Sequence, residues 1–274
     1  MEKFAMSAST NYLYEHVTTQ VLMEDMSFTE HAPRPGQHLP SFDLPSADGG
    51  RVRSEDFLGK QPLLLITGSL TCPMTASSNP ILKELYYDFG PQIAFVTLHV
   101  REAHPGEHHE QPRSLEDKMA HARALQQRDQ LPWPVAVDDP EGSVHRALDE
   151  KPNAVYLTDR SGVIVYRGLW AGDDKGLFQA LESVAHDDLP AEQESLRRLK
   201  PMAMGLGLMR EMTRTSGSRA QRDLWRAAPP MAALSWVADL YRPLPPQWRT
   251  VAAAATVGAL AALIFSVANG RRRS

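Results

Sequence analysis

The only cysteine of the 274-residue chain, Cys72, stands in "LLLITGSLTCPMT" (63–75), where an apolar run ends and Pro73 opens a new element. A structural cysteine belongs inside such a run. This one falls at the turn between a strand and the next helix, where free N–H groups and the positive end of the helix dipole favour a thiolate. Thr71 and Thr75 flank it, and both are expected to donate hydrogen bonds to the sulfur. With one cysteine there is no intramolecular disulfide, so a redox cycle at Cys72 must be completed by another molecule. The segment "HPGEHH" offers His104, His108 and His109 as a zinc set. Short loops turn such histidines outward, and no metal is expected.

These residues need a frame. "QPLLLITG", "QIAFVTLHV" and "WPVAVDD" are short, continuously apolar runs, the pattern of strands covered on both faces. Between them lie "PMTASSNPILKELYYDFG", a helix with a kink expected at Pro80, and "SLEDKMAHARALQQ", a helix capped by Ser114 with Asp117 three residues on. "NAVYLTDRSGVIVYRG" reads as an antiparallel hairpin and "KGLFQALESVA" as a closing helix, while "SFDLPSADGGRV" forms a hairpin ahead of the first strand. The result is an α/β layer structure around a mixed sheet. The expected organisation is a helical N-terminal extension (1–32, helix over 8–28), the α/β domain (33–189), a helical or loosely ordered linker (190–247) and an apolar helix (248–270). Within this frame His121 is expected at the surface or half-buried, Arg167 as a surface cation, and the methionines from Met202 to Met212 as packing.

The order of elements resembles the thioredoxin fold with a peroxiredoxin-like N-terminal hairpin. In that pattern a proline kinks the helix eight residues after the first cysteine, as Pro80 stands to Cys72, and Pro152 matches the cis-proline that faces the cysteine. The second cysteine of the C-x-x-C motif is replaced by Thr75. Three segments in register, "GSLTCP", "VREAHP" and "RSLEDKMAHARALQQ", are similar to the iodothyronine deiodinase family over residues 60–187. That resemblance implies Cys72 in the place of the catalytic selenocysteine, Thr71 beside it, and Glu102 and His104 as the acid and imidazole of the site. Pro112 stands where the family has a further histidine, and the aromatic residue of hormone-handling members is missing from "PGEHH".

The implied chemistry is reductive dehalogenation: a thiolate takes iodine from an aryl substrate, an external thiol or a thioredoxin-type protein regenerates it, and no cofactor is needed. His104 is expected to protonate the carbon left behind, with Glu102 orienting the imidazole. A one-cysteine thiol peroxidase is the alternative. Ser69 meets the Thr/Ser position of its motif, three residues before the cysteine, but Leu65 occupies the position of its proline. A third reading is a membrane-tethered redoxin scaffold without catalysis.

A net charge of −4 predicts no affinity for nucleic acid, and 42% hydrophobic residues suffice for a core. The first thirty residues lack the apolar centre of a signal peptide, which points to a cytoplasmic catalytic domain. From Val251 to Gly270 there is no charged residue, roughly the length of one membrane crossing. Trp248 and Arg249 flank it on one side and Arg271, Arg272 and Arg273 on the other. The arginine triplet taken alone favours the opposite orientation. The expectation is a domain anchored by its C-terminal helix and facing the cytoplasm, with room for a homodimer.

Overall fold

The computed structural model describes residues 12–271. Its centre is a six-stranded sheet made of β3 (Leu63–Gly68), β4 (Ala94–His99), β5 (Val135–Val137), β6 (Val155–Thr158), β7 (Ile164–Gly168) and β8 (Glu194–Ser195), in the order β5-β4-β3-β6-β7-β8. The first three run parallel, and β6 pairs antiparallel with β3. Every residue of β3 to β7 is buried, as continuous apolar runs require. Helices α2 (Pro73–Phe89), α3 (Leu115–Asp129) and α5 (Asp174–Ala185) cover the sheet, and α4 (Ser143–Ala147) lies between β5 and β6. The hairpin β1 (Asp43–Pro45) and β2 (Arg51–Arg53) reaches the β5 edge through a Ser46–Ala136 bridge. This mixed sheet, with its crossing helices and leading hairpin, is the thioredoxin-like arrangement that the order of elements predicted.

Two parallel connections place the chemistry. In β3 and β4 the last residues, Gly68 and His99, are register partners, so Cys72 and Glu102 follow neighbouring strand ends. The carboxyl ends of parallel strands are where open α/β sheets leave room for ligands. Helix α3 holds its register through a full capping box, in which Ser114 Oγ accepts from Asp117 N and the Asp117 carboxylate accepts from Ser114 N. Such a cap is worth about 1 kcal/mol.

Several details differ from expectation. Helix α1 covers only Thr19–Glu24, not 8–28, and residues 8–11 of that span lie outside the described ones. The segment before α1 is fixed by side chains reaching into the domain: Tyr12 is buried, its hydroxyl lies 2.9 Å from His145 Nδ1, and Arg101 stacks on its ring. The Lys151–Pro152 bond is trans, the intrinsically favoured isomer. Arg167 is buried instead of exposed. It donates to the Ala32 and Pro33 carbonyls and pairs with Glu194 at 2.8 Å, tying the N-terminal segment to β8.

After β8 the chain continues as α6 (Leu199–Ser216), α7 (Ser218–Ala227), α8 (Pro229–Ala238) and α9 (Pro246–Arg271). Helix α6 packs on α2, and α8 and α9 pack on α6. Gly207 of α6 permits the close approach of the Pro246 backbone, where α9 begins. Thr250 donates to the Ala203 carbonyl at 2.7 Å, and Ala253 is buried. The Thr256 hydroxyl still meets the Tyr241 hydroxyl at 2.6 Å, and beyond it Val257, Leu260, Leu263, Ile264 and Phe265 of α9 are exposed. Its stretch Pro246–Ser266 is long and apolar enough to cross a membrane. Arg272 and Arg273 of the flanking triplet lie outside the described residues.

Candidate active site

Cys72 is the N-cap of α2, with Pro73 as the first helical residue, and only 1% of it is exposed. The tight turn from β3 is closed by Cys72 N on the Ser69 carbonyl and by Ala76 N on the Cys72 carbonyl. The thiol does not behave as its position suggested. Burial pushes it up to about 11, against the pull of the Thr75 N–H and hydroxyl and the Met74 N–H. The helix terminus lowers the cost of a thiolate here but does not overcome desolvation.

Thr71 turns away from the sulfur. Its N–H and hydroxyl donate to Glu102 Oε2 at 2.8 and 2.7 Å, and the same hydroxyl accepts from His104 N at 3.0 Å. Thr75 stays beside Cys72, and its hydroxyl accepts from Ser69 N at 3.4 Å. Ser69 Oγ in turn accepts from Ala103 N at 3.3 Å. Ser69, Thr71 and Thr75 thus stitch the cysteine turn to the strand end that carries Glu102 and His104. Pro152 faces the same space. Its loop is held against β3 by Thr67, whose hydroxyl donates to the Lys151 carbonyl at 2.7 Å and accepts from Ala154 N at 2.8 Å.

Glu102 is fully buried and does not orient His104. Its Oε1 lies 2.9 Å from His121 Nδ1 and 3.3 Å from His99 Nε2, while Oε2 is taken by Thr71. Burial would raise this carboxyl, but the His121 hydrogen bond and the adjoining His99 and His121 imidazoles outweigh it and hold it well below the usual carboxylate range. His121 is desolvated, yet its bond to Glu102 raises it. His121 is therefore part of the site's scaffold. The capping box fixes the register of α3, but nothing in the sequence shows which buried acid that helix faces.

His108 points outward and meets the Thr215 carbonyl at 3.3 Å, and the His109 ring stacks edge-on with His121. These two do not converge with His104. Ligand-type atoms of His99, Glu102 and His121 do gather within 4.8 Å of one another. Glu102 accepts from Thr71 and is hydrogen-bonded to His121, with His99 within ion-pair distance, and we read this trio as a brace for the cysteine turn.

His104 is buried, its Nδ1 has no hydrogen-bond partner, and burial lowers it to about 4, so it is neutral at physiological pH. It lines a cavity of about 330 Å³ together with Cys72 and Pro152. The other walls are apolar and come largely from outside the α/β domain: Met202, Leu206 and Met209 of α6, Met231 of α8, and Leu22 of α1. Met202 and Met209, read from sequence as packing, line the cavity, and Met209 is also packed in a buried cluster with Leu224 and Ala232, while Met204 and Met212 are buried. No lysine or arginine lines the cavity among the described residues. The one carboxyl in its wall, Asp25, is 47 residues from Cys72 in sequence, and no motif marks it.

The arrangement is a single buried thiol at a strand–helix turn, facing a neutral imidazole across an apolar chamber. Solved structures similar to the chain include an uncharacterized conserved protein from Geobacillus kaustophilus (21% identity, 59% of this chain and 88% of that one, TM-score 0.48). A hypothetical protein from Sinorhizobium meliloti matches at 22% identity over 59% and 90% of the two chains, with a TM-score of 0.47. The thioredoxin domain of a thiol-disulfide oxidoreductase from Bacteroides vulgatus matches at 19% over 51% and 91%, with a TM-score of 0.41. The family model described as iodothyronine deiodinase matches residues 8–180, which include Cys72, Glu102, His104 and His121. On that match the protein is an oxidoreductase that belongs to the iodothyronine deiodinase family.

Proposed function

We propose that the protein removes halogen reductively from an apolar aryl substrate, with Cys72 as the attacking group and an external thiol, small or of thioredoxin type, as the reductant. The observation that carries this reading is the shared cavity: Cys72 and His104 open into one chamber of about 330 Å³ whose walls are otherwise almost wholly apolar. Such a chamber fits a ring-sized hydrophobic molecule far better than a small polar oxidant such as hydrogen peroxide.

In this mechanism the sulfur attacks the halogen along the carbon–halogen axis. For iodine, the S–I bond forms as the C–I bond breaks, and the electron pair of that bond stays on carbon, which takes a proton. A reductant thiol then displaces iodide from the sulfenyl iodide, giving a mixed disulfide, and a second thiol releases Cys72. Neutral His104, with a free ring nitrogen, suits a hydrogen bond to a polar substituent on the ring, such as a phenol. Glu102, braced by Thr71 and His121, holds the turn on which the sulfur sits.

The test uses full-length protein in detergent with dithiothreitol and an iodinated phenol, beside Cys72→Ser. Iodide release that requires Cys72 supports the reading. Thiol-dependent loss of hydrogen peroxide with no iodide overturns it in favour of a peroxidase. Neither activity overturns it in favour of a scaffold.

A further inference from the structure

The thiol of Cys72 lacks a base. With its pKa at about 11, only on the order of one molecule in 10,000 carries a thiolate at pH 7. His104 is no strong proton acceptor, since burial holds it near 4, and Glu102 is occupied by Thr71 and His121. The one further ionisable group in the cavity wall is Asp25, the residue that ends α1.

Asp25 shares the cavity with the sulfur. Its carboxyl has no hydrogen-bond or ion-pair partner among the described residues, and its charge is felt by both Cys72 and the half-buried Tyr14. Two cations, Arg101 and Lys151, and two further carboxyls, Glu24 and Glu150, surround it. Both cations are engaged elsewhere. Arg101 binds Glu150 and the Tyr12 carbonyl, and Lys151 binds the Glu24 carbonyl and pairs with Asp149. A carboxyl in a mostly apolar wall, left free by the cations around it, is available to exchange a proton with whatever shares the cavity.

We propose that Asp25 is the proton carrier of this site, its carboxylate taking the Cys72 proton as the sulfur attacks and returning it to the carbon that loses halogen. Asp25 is half-buried, and the desolvation of its carboxyl supports the assignment by pushing it up to about 7, close to working pH, where a group serves best as both acceptor and donor. The steps balance. The proton leaves Sγ for Asp25, S–I forms while C–I breaks, and protonated Asp25 gives its proton to the aryl carbon. The sum is Ar–I plus Cys–SH giving Ar–H plus Cys–S–I, and the external thiol of the proposed cycle then removes the iodine. The second half of this role rests on the dehalogenase reading, but the first half does not.

The experiment separates them. Because Cys72 is the only cysteine, its alkylation by iodoacetamide can be followed by intact mass across pH 5–10 in the full-length protein, beside Asp25→Asn and Asp25→Glu. The wild type is expected to show a rate limb near pH 7. Asp25→Asn should lose this limb and react tenfold or more slowly at pH 8, while Asp25→Glu keeps a limb at a shifted position. Iodide release from an iodinated phenol, measured separately, should fall at least thirtyfold in Asp25→Asn. Coincident alkylation profiles for wild type and Asp25→Asn overturn the proposal, whatever the iodide assay gives. If the limb depends on Asp25 but no aryl iodide is turned over, Asp25 stands as the base of the thiol and the dehalogenase reading falls. Should Asp25→Asn fail to fold, an unmoved limb in Asp25→Glu overturns the proposal.

Discussion

At the scale of single residues, this site is governed by desolvation. Cys72, His104 and Asp25 are all shifted toward their neutral forms by burial, whereas Glu102 alone keeps its charge because four donors or partial charges surround it. Glu102→Gln should therefore be costly. It removes the charge that Thr71 and His121 are arranged to meet and leaves a buried imidazole poorly paired, an effect of about 2–4 kcal/mol. Thermal unfolding at pH 7 would show it as a drop of several degrees. His104 predicts a pH dependence. Its folded pKa of about 4 lies below its unfolded value of about 6.5, so between these the unfolded chain binds more protons. The stability is fully present above pH 6.5 and is lost as pH falls toward 4, by about 2 kcal/mol between pH 7 and pH 5. Urea unfolding at the two pH values should show a smaller difference in His104→Asn than in the wild type.

At the scale of elements, α6 builds one wall of a half-open chamber over a thioredoxin-like surface. The turn after β3 and the end of β4 provide the reactive groups, but without α6 and α1 the thiol would face solvent. The closeness of α6 to its neighbours depends on glycine. At Gly205 an added Cβ meets the end of the Met74 side chain, which can give way, whereas at Gly207 it meets the Pro246 backbone, which cannot. Gly207→Ala should thus loosen α9 from α6 and cost about 1–3 kcal/mol, while Gly205→Ala costs less. Comparing the unfolding midpoints of the two variants checks the order. Loss of the Thr250 bond to the Ala203 carbonyl would also open one side of the cavity, since Thr250 lines it.

At the scale of the whole molecule, the exposed part of α9 and the exposed apolar residues near its base, Leu199, Leu240, Leu244 and Trp248, give one end of the protein a membrane-seeking character. We propose that α9 anchors the protein in a bilayer. The wild type should then float with neutral liposomes in a density gradient. A variant with Leu260→Arg and Leu263→Arg should remain at the bottom while keeping its Cys72 alkylation rate, because those positions lie outside the packed domain. Equal flotation of both would argue against insertion of α9.

The sequence by itself determined the strands up to β7 but not β8, the turn that carries Cys72, the strand end with Glu102 and His104, the capping box of α3 and the family. Each is written in a local pattern, whether an apolar run, a cap or a short motif in register. Tertiary structure alone decided the partners. His121 meets Glu102 across 19 residues, Asp25 shares a cavity with Cys72 across 47, and α6 lines that cavity from more than a hundred residues away. It also decided the ionisation of the thiol. A helix N-terminus is legible in the sequence and favours a thiolate, but how deeply the sulfur is buried depends on residues from α1, α6 and α8 that pack over it. Desolvation acts through whatever surrounds a group in space, and no spacing along the chain reports it.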